Sequence, residues 1–454
     1  MRKSWSWIAG PVCGAAVIVV ACDNQGTIAL PYQDGGPDAG TGVDGTAPFD
    51  AGMFVDSAAP PDGGEAGGDA DAGEGPPSRL LLSYNGSSSS ELVAFGLQSK
   101  TVDGRMTYPD FLGTAYVGTT APWLLEQSTD VVARLDPLEP WVVDSSWSVA
   151  MNDLTDAGYA EPFADPDAVL VGAGTKAYVL RYTRNLVAIL DTSKNADGGV
   201  PTGSVDLSSE LQSGGDGYVQ PVAGVYVASQ QRVYVLLANI NRNDVVDNGF
   251  DLLCASTTPT VVAIDTTSDT LVDLNGSAAG NGWPLVGYSP LFGPGALAYD
   301  ATTGAAGRLL VLDAGCYAKA TDGGVGALTK REVESVDLAT GAAAELLDLT
   351  SQAFPSSLTY IDAHHAVVQL DTAYAWDPTT TALGAAIPNA PDAFVYDGAG
   401  NLLGVTSSYA ADGGFEGYDV VSVTVSAGTV TKLGSNPFTL TGGFLGGVTL
   451  WPAP

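Results

Sequence analysis

Side chains that could act as general bases near neutral pH are scarce in this chain. Its 454 residues contain two histidines, His364 and His365, adjacent at the start of an apolar segment that reads as a β-strand. Successive side chains of a strand point to opposite faces, so these two rings are not expected to share a metal ion or form a dyad. The sequence also lacks H-E-x-x-H, Cys–His zinc spacing, a P-loop and a G-x-S-x-G elbow. A hydrolase built on it would depend on paired carboxylates, and no catalytic residue is assigned.

The densest group of carboxylates within the apolar part of the chain lies in NRNDVVDNGFD, residues 241–251. Asp244, Asp247 and Asp251 offer the hard oxygen ligands that suit Ca²⁺. The alternative is an acidic loop in solvent, which is the usual fate of such a segment. Calcium here is the one metal site to consider, and no other cofactor is expected.

The overall charge restricts the partners of the protein. The chain has 51 Asp and Glu against 17 Lys and Arg, a net charge of −34. Such a surface repels phosphate groups, so nucleic acids are excluded as partners. Most of this acidity is expected on a solvated surface, where it confers solubility.

The first 21 residues have the organisation of an export signal. A basic start, Met1-Arg2-Lys3, is followed by an apolar stretch that ends in Val19-Val20-Ala21-Cys22. This tetrapeptide resembles the lipobox of bacterial lipoproteins, which implies cleavage before Cys22 and lipid attachment to its sulfur. The resemblance implies a membrane anchor in the cell envelope, with the outer membrane or cell surface favoured. The inner membrane remains an alternative location, because an acidic residue directly after the lipid-bearing cysteine, here Asp23, resembles an inner-membrane retention signal.

Residues 22–78 are predicted to form a disordered tether. They are rich in Asp, Gly, Ala and Pro, have no apolar periodicity, and contain no Lys or Arg. Such a segment cannot bury enough apolar surface to offset its chain entropy. As a Gly-rich coil it reaches about 40 Å, enough to hold a domain clear of a membrane.

Export also bears on Cys254 and Cys316, the two cysteines that follow the predicted tether. These two cysteines can form a disulfide in an oxidising compartment, and in the chain-entropy model closing that loop would stabilise the fold by about 4 kcal/mol. Two buried free thiols are the alternative.

A trio of short apolar segments recurs from residue 79 to the end, which predicts an all-β repeat domain over residues 79–454. The second members of the trios are RLLLS (79–83), APWLLE (121–126), KAYVLR (176–181), RVYVLL (232–237), RLLVL (308–312), HAVVQL (365–370) and NLLGV (401–405). The trio at 79–83 lacks a first strand, whereas the C-terminal FLGGVTL (444–450) lacks partners. In a seven-bladed β-propeller closed by the C-terminal strand, FLGGVTL supplies the strand that the trio at 79–83 lacks, and this closure removes two exposed sheet edges. Six or eight blades remain open.

Two third strands carry a recognisable repeat. LVAILDTSKN (186–195) and VVAIDTT (261–267) resemble the repeat of surface-layer-type (YVTN) β-propellers, which implies the same fold. The aspartates that end four such strands are expected to cap the turns that follow; they are Asp191, Asp265, Asp337 and Asp377.

The expected function is a binding or scaffold module at the cell envelope, monomeric and with an unknown protein or carbohydrate ligand. Tryptophans in strands are expected mainly in the core, with Trp283 the best candidate for an exposed contact residue. One alternative is an envelope enzyme, a metal-assisted hydrolase or lactonase with carboxylates in the central channel. Another is a self-associating surface-layer component.

Overall fold

The computed structural model describes residues 78–452 apart from 110, 114–115, 118–119, 151–162, 195–196, 245–251, 255–256, 277–279, 289, 292, 294, 321–324, 411–413 and 442. The predicted export signal and nearly all of the predicted tether lie outside the described residues. Among the residues it does describe, no helix is long and apolar enough to span a membrane.

The described chain forms seven antiparallel sheets, numbered here as blades in chain order. The first three blades are built as follows. Blade 1 contains β1 (Arg79–Asn85), β2 (Ser90–Gly96), β3 (Thr101–Tyr108) and the C-terminal β29 (Phe444–Trp451); blade 2 contains β4 (Tyr116–Val117), β5 (Pro122–Glu126), β6 (Val131–Leu135) and β7 (Val143–Ser148); blade 3 contains β8 (Pro166–Ala173), β9 (Lys176–Arg181), β10 (Leu186–Asp191) and β11 (Gly203–Asp206).

The strands of the remaining blades are given, like those of blades 2 and 3, from the innermost outward; in blade 1 the innermost strand is the C-terminal β29. Blade 4 contains β12 (Pro221–Val227), β13 (Arg232–Leu237), β14 (Thr260–Asp265) and β15 (Thr270–Val272), with the short β16 (Trp283–Pro284) beside β14; blade 5 contains β17 (Leu297–Asp300), β18 (Arg308–Lys319), β19 (Val325–Asp337) and β20 (Ala343–Asp348); blade 6 contains β21 (Ser357–Asp362), β22 (His365–Gln369), β23 (Ala373–Trp376) and β24 (Leu383–Ala386); blade 7 contains β25 (Ala393–Tyr396), β26 (Asn401–Tyr409), β27 (Phe415–Thr424) and β28 (Val430–Ser435).

The ring is closed by the C-terminal strand, as the unpartnered segments predict. β29 pairs antiparallel with β1, from Arg79 opposite Trp451 to Asn85 opposite Phe444. Each innermost strand also contacts the next around the ring, including β29 with β4 and β25 with β29. The all-β, seven-bladed prediction is confirmed.

The core lies between the faces of neighbouring blades. Successive side chains of β1 alternate between two apolar layers: Leu80 and Leu82 pack with blade 7, whereas Leu81 packs with blade 2. A strand buried on both faces needs a continuous apolar run, and RLLLSYN is buried throughout. The same rule explains why the second members of the trios were the most visible repeats.

The aspartates at the ends of the third strands cap turns, as expected. Asp265 Oδ1 accepts hydrogen bonds from the backbone N–H groups of Thr267 and Ser268, both at 2.9 Å. Asp337 does the same for Ala339 and Thr340. These bonds stabilise the ionised carboxylate of Asp265 and hold its pKa below the usual value; the pKa of Asp337 is lowered first by a hydrogen bond from the Thr340 hydroxyl and then by the backbone bonds.

Candidate functional site

The two ends of the ring differ in the length of their loops. Because successive strands of a blade are antiparallel, the turns between first and second and between third and fourth strands lie at one end, here called the turn end. The loops between second and third strands, and the connections between blades, lie at the other end, here called the insertion end. The longest excursions belong to the insertion end: loop 238–259 of blade 4 and the extended hairpins β18–β19 and β26–β27.

A disulfide ties two of these excursions together. Cys254, in the blade 4 loop, is bonded to Cys316, on the blade 5 hairpin, with their Cα atoms 5.0 Å apart. Backbone hydrogen bonds flank it, from Cys254 N to Tyr317 O and from Tyr317 N to Leu252 O. The predicted pairing is therefore confirmed, and it links neighbouring blades at the insertion end.

The acidic segment beside Cys254 is only partly described. The Asp244 main chain accepts a hydrogen bond from Leu253 N at 2.8 Å, and its side chain lies 3.3 Å from Asn241 Nδ2. Asp247 and Asp251 lie outside the described residues. Calcium binding by these three aspartates stays a prediction.

Three other carboxylates, which belong to no recognisable sequence motif, converge in blade 5. Asp313 lies opposite Glu332 in the β18–β19 ladder, and Glu334 lies two residues further along β19 on the same face. All three side chains are buried, and one oxygen from each lies within 4.8 Å of the others. We call them the carboxylate trio.

The trio packs against the connection from blade 4 to blade 5. Glu334 Oε2 accepts hydrogen bonds from Val286 N at 2.7 Å and Gly287 N at 3.2 Å. A Cβ on Gly287 would stand 2.3 Å from Asp313 Oδ2, so only glycine lets the main chain approach this closely. Four oxygens of the trio have no hydrogen-bond partner among the described residues: Asp313 Oδ1, Asp313 Oδ2, Glu332 Oε1 and Glu334 Oε1.

Burial and mutual repulsion govern the charge of the trio. Burial, then the charges of Glu334 and Glu332, raises the pKa of Asp313 well above its usual value. The pKa of Glu332 is raised to about 8 by burial first, then by a hydrogen bond to Glu345 and the charge of Glu334. Lys330 acts in the opposite direction on both groups but is outweighed. Three ionised carboxylates so close together need protons or a cation.

Other buried carboxylates at the insertion end are satisfied by main-chain donors. Glu91 accepts from Thr439 N at 2.7 Å, and Glu210 accepts from Asn281 N at 2.8 Å and Gly282 N at 3.2 Å. Each thereby binds a connection between blades. The trio differs from them because only one of its six oxygens receives such main-chain hydrogen bonds.

The innermost strands contribute few carboxylates to the channel. Their sequences are mainly Val, Ala, Gly, Leu, Thr and Tyr, and the acids among them are Asp167, Asp300 and Asp362. Asp300 and Asp362 end their strands at the turn end. The pKa of Asp167 is raised by burial and by the charge of Asp165, against a hydrogen bond from Gln127. Among the described residues, the converging trio lies on second and third strands, away from the channel wall.

Trp283 is buried, whereas His364 and His365 are exposed. Trp283, expected to be exposed, is 7% exposed, and its Nε1 donates to Leu274 O at 3.0 Å. That prediction was wrong because the turn-rich segment folds back over blade 4 and seals its core. His364 and His365 sit at an exposed hairpin, where His365 Nδ1 lies 2.8 Å from Asp362 Oδ1.

Two exposed aromatic side chains of the insertion end lie side by side at the tip of blade 7, while Phe163 and Phe354 are exposed in connections between blades. Tyr409 and Phe415 close the β26–β27 hairpin and are 55% and 52% exposed. Their ring centroids are 5.8 Å apart in an edge-to-face arrangement, with Tyr418 packed under Phe415. The pair forms a preorganised aromatic surface of the kind that protein and carbohydrate ligands contact.

Comparison with known proteins adds the following. No protein-family model matches the chain, and no curated protein matches it. Solved structures with a similar fold include a proposed 6-phosphogluconolactonase from Bacteroides uniformis (12% identity, covering 82% of this chain and 98% of that one, TM-score 0.47). Others are a protein from Lactobacillus plantarum (14%, 82% and 99%, TM-score 0.45) and apo AztD from Citrobacter koseri (10%, 82% and 97%, TM-score 0.42).

Proposed function

We propose that this protein is an extracytoplasmic β-propeller, held at the cell envelope by a lipid on Cys22, that binds a protein or carbohydrate ligand through its insertion end. The export signal supports secretion, and a disulfide between Cys254 and Cys316 suits an oxidising compartment. The spacer of residues 22–78 would hold the ring away from the membrane.

The observation that carries the binding role is the exposed pair Tyr409 and Phe415 at the tip of an extended hairpin. Two large aromatic side chains in water are unfavourable unless a partner covers them, and aromatic residues are frequent anchors of interfaces. The β26–β27 ladder holds both rings at a defined spacing, so little side-chain entropy is lost on binding.

An envelope enzyme of the hydrolase or lactonase type is the alternative. It requires converging carboxylates that a substrate can reach through the channel. Among the described residues, the converging trio lies on second and third strands, buried against the connection between blades. This placement favours binding over catalysis. A surface-layer role predicts self-association, whereas we expect a monomer in light scattering.

The test measures retention of the purified protein on envelope fragments from the producing cells. Tyr409→Ser combined with Phe415→Ser should weaken retention at least about 10-fold. Val430→Ser, on the exposed outer strand of the same blade, is the control and should bind normally. Protease or glycosidase treatment of the fragments distinguishes a protein ligand from a carbohydrate. Equal retention of the aromatic variant and wild type would contradict the proposal.

A further inference from the structure

The carboxylate trio is buried within blade 5. Asp313 is fully buried and neither of its oxygens accepts a hydrogen bond from the described residues. Glu332 Oε1 and Glu334 Oε1 are in the same situation, and all three groups face one another. A buried acceptor without a donor costs free energy, and three together need a positively charged partner or bound protons.

The geometry of the trio matches a hard divalent cation. Calcium binds oxygen at about 2.4 Å, so two ligands on opposite sides of the ion are about 4.8 Å apart. The trio oxygens lie within 4.8 Å of one another, which allows one ion to contact all three side chains. Both oxygens of Asp313 are free to bind together, and every donor is a carboxylate oxygen. This donor set suits Ca²⁺, which accepts several carboxylates in flexible geometry.

The surroundings hold the ligands in place. The N–H groups of Val286 and Gly287 occupy Glu334 Oε2, and Oε1 has no hydrogen-bond partner among the described residues. This is the supporting hydrogen bond that protein metal ligands commonly have. Glu345, exposed on the outer strand β20, adds a further carboxylate beside Glu332.

We propose that Asp313, Glu332 and Glu334 bind one Ca²⁺ ion that fastens the blade 5 hairpin to the connection from blade 4. Asp313 is three residues from Cys316 on the same strand, so the ion and the disulfide would restrain the hairpin side by side. The ion would be structural, since it lies away from the channel. This site is separate from the aspartates of loop 241–251 and does not depend on the proposed ligand-binding role.

The test compares Ca²⁺ binding by the full chain with that of variants after removal of metal by EGTA. Asp313→Asn and, independently, Glu332→Gln should each lose one Ca²⁺ per chain in equilibrium dialysis at 1 mM free Ca²⁺, a concentration at the upper end of known sites. Both remove a repelling charge, so both should fold. Glu91→Gln is the matched control, because Glu91 is an equally buried glutamate on the third strand of blade 1. Weak binding by the acidic tether is common to all variants and cancels in the comparison.

Thermal unfolding provides the second measurement. Saturating Ca²⁺ should raise the Tm of wild type and of Glu91→Gln by about 3 °C and leave both trio variants unchanged. Equal Ca²⁺ binding by wild type and both trio variants would overturn the proposal. The proposal would also be overturned if Ca²⁺ left the Tm of wild type unchanged while Asp313→Asn had a higher Tm than wild type in EGTA. That result would mean that bound protons, and not a cation, neutralise the trio.

Discussion

Replacing Trp451 with alanine should destabilise the entire ring. Trp451 lies in β29, is 3% exposed, and packs with Leu81 of blade 1 and Leu124 of blade 2. Its Nε1 donates to Pro137 O at 2.9 Å, a contact that joins the last strand to blade 2. A buried Trp→Ala change costs about 3–5 kcal/mol, to which the lost hydrogen bond contributes about 1 kcal/mol. Typical domains are stable by about 5–15 kcal/mol, so the loss should be large in urea unfolding followed by circular dichroism.

The control is Leu138→Ala, next to Pro137. Leu138 is 61% exposed, so its truncation should change the free energy of unfolding by no more than about 0.5 kcal/mol. Deletion of residues 444–454 should be more severe than Trp451→Ala, because it also exposes the edge of β1. If Trp451→Ala unfolds within 1 kcal/mol of wild type, or the deletion melts like the full chain, closure by the C-terminal strand does not stabilise the ring.

Three further outcomes are expected. Asp300→Asn should lower the free energy of unfolding at pH 7 by about 3 kcal/mol in urea titrations. Asp300 is buried and pairs with Arg308 Nε at 2.8 Å, so the substitution leaves the guanidinium without its counter-charge. An unchanged unfolding midpoint would contradict this. Burial alone would raise the pKa of Asp300, but hydrogen bonds from Thr302 and Tyr360 outweigh it and hold the pKa below normal. The ionised carboxylate therefore stabilises the fold fully above about pH 4, the pKa of aspartate in the unfolded chain, and this contribution is lost as the pH falls through the lower pKa of the folded state. Wild type and Asp300→Asn should then converge in stability in strong acid, and a difference that stays constant with pH would refute this expectation. Replacing Cys254 and Cys316 together with Ser should cost up to about 4 kcal/mol for the 62-residue loop, and reduction of wild type should reproduce the loss in thermal unfolding.

The blade pattern was visible in the sequence because strands buried on both faces require apolar runs. KAYVLR and LVAILD are strands β9 and β10 with the predicted bounds, and all seven second strands were found. The outer strands β3, β7 and β24 were not found. Their exposed positions carry polar or small residues, as in the alternating pattern of TVDGRMTY, so their apolar signal is weak.

The long hairpins and the carboxylate trio were not predictable for a related reason. Lys319, Lys330 and Arg331 give the β18–β19 segment the composition of a loop, although β18 and β19 are 12 and 13 residues long. Glu332 and Glu334 are two residues apart, which already places them on one face of any strand. Only the pairing register brings Asp313 opposite Glu332, and that register is set by the hairpin. The disulfide, by contrast, was one of two outcomes that the predicted export signal and the cysteine count left open, and the one they favoured.

The central claim, an anchored propeller presented outside the cytoplasm, is tested most directly by the membrane partition of the Cys22→Ser variant. Wild type should sediment with membranes and carry a lipid-modified Cys22 as its first residue by mass spectrometry. Cys22→Ser should keep the folded ring, judged by the same circular dichroism spectrum, and appear in the soluble fraction. Equal membrane retention of both proteins, or an unmodified wild-type Cys22, would contradict the account.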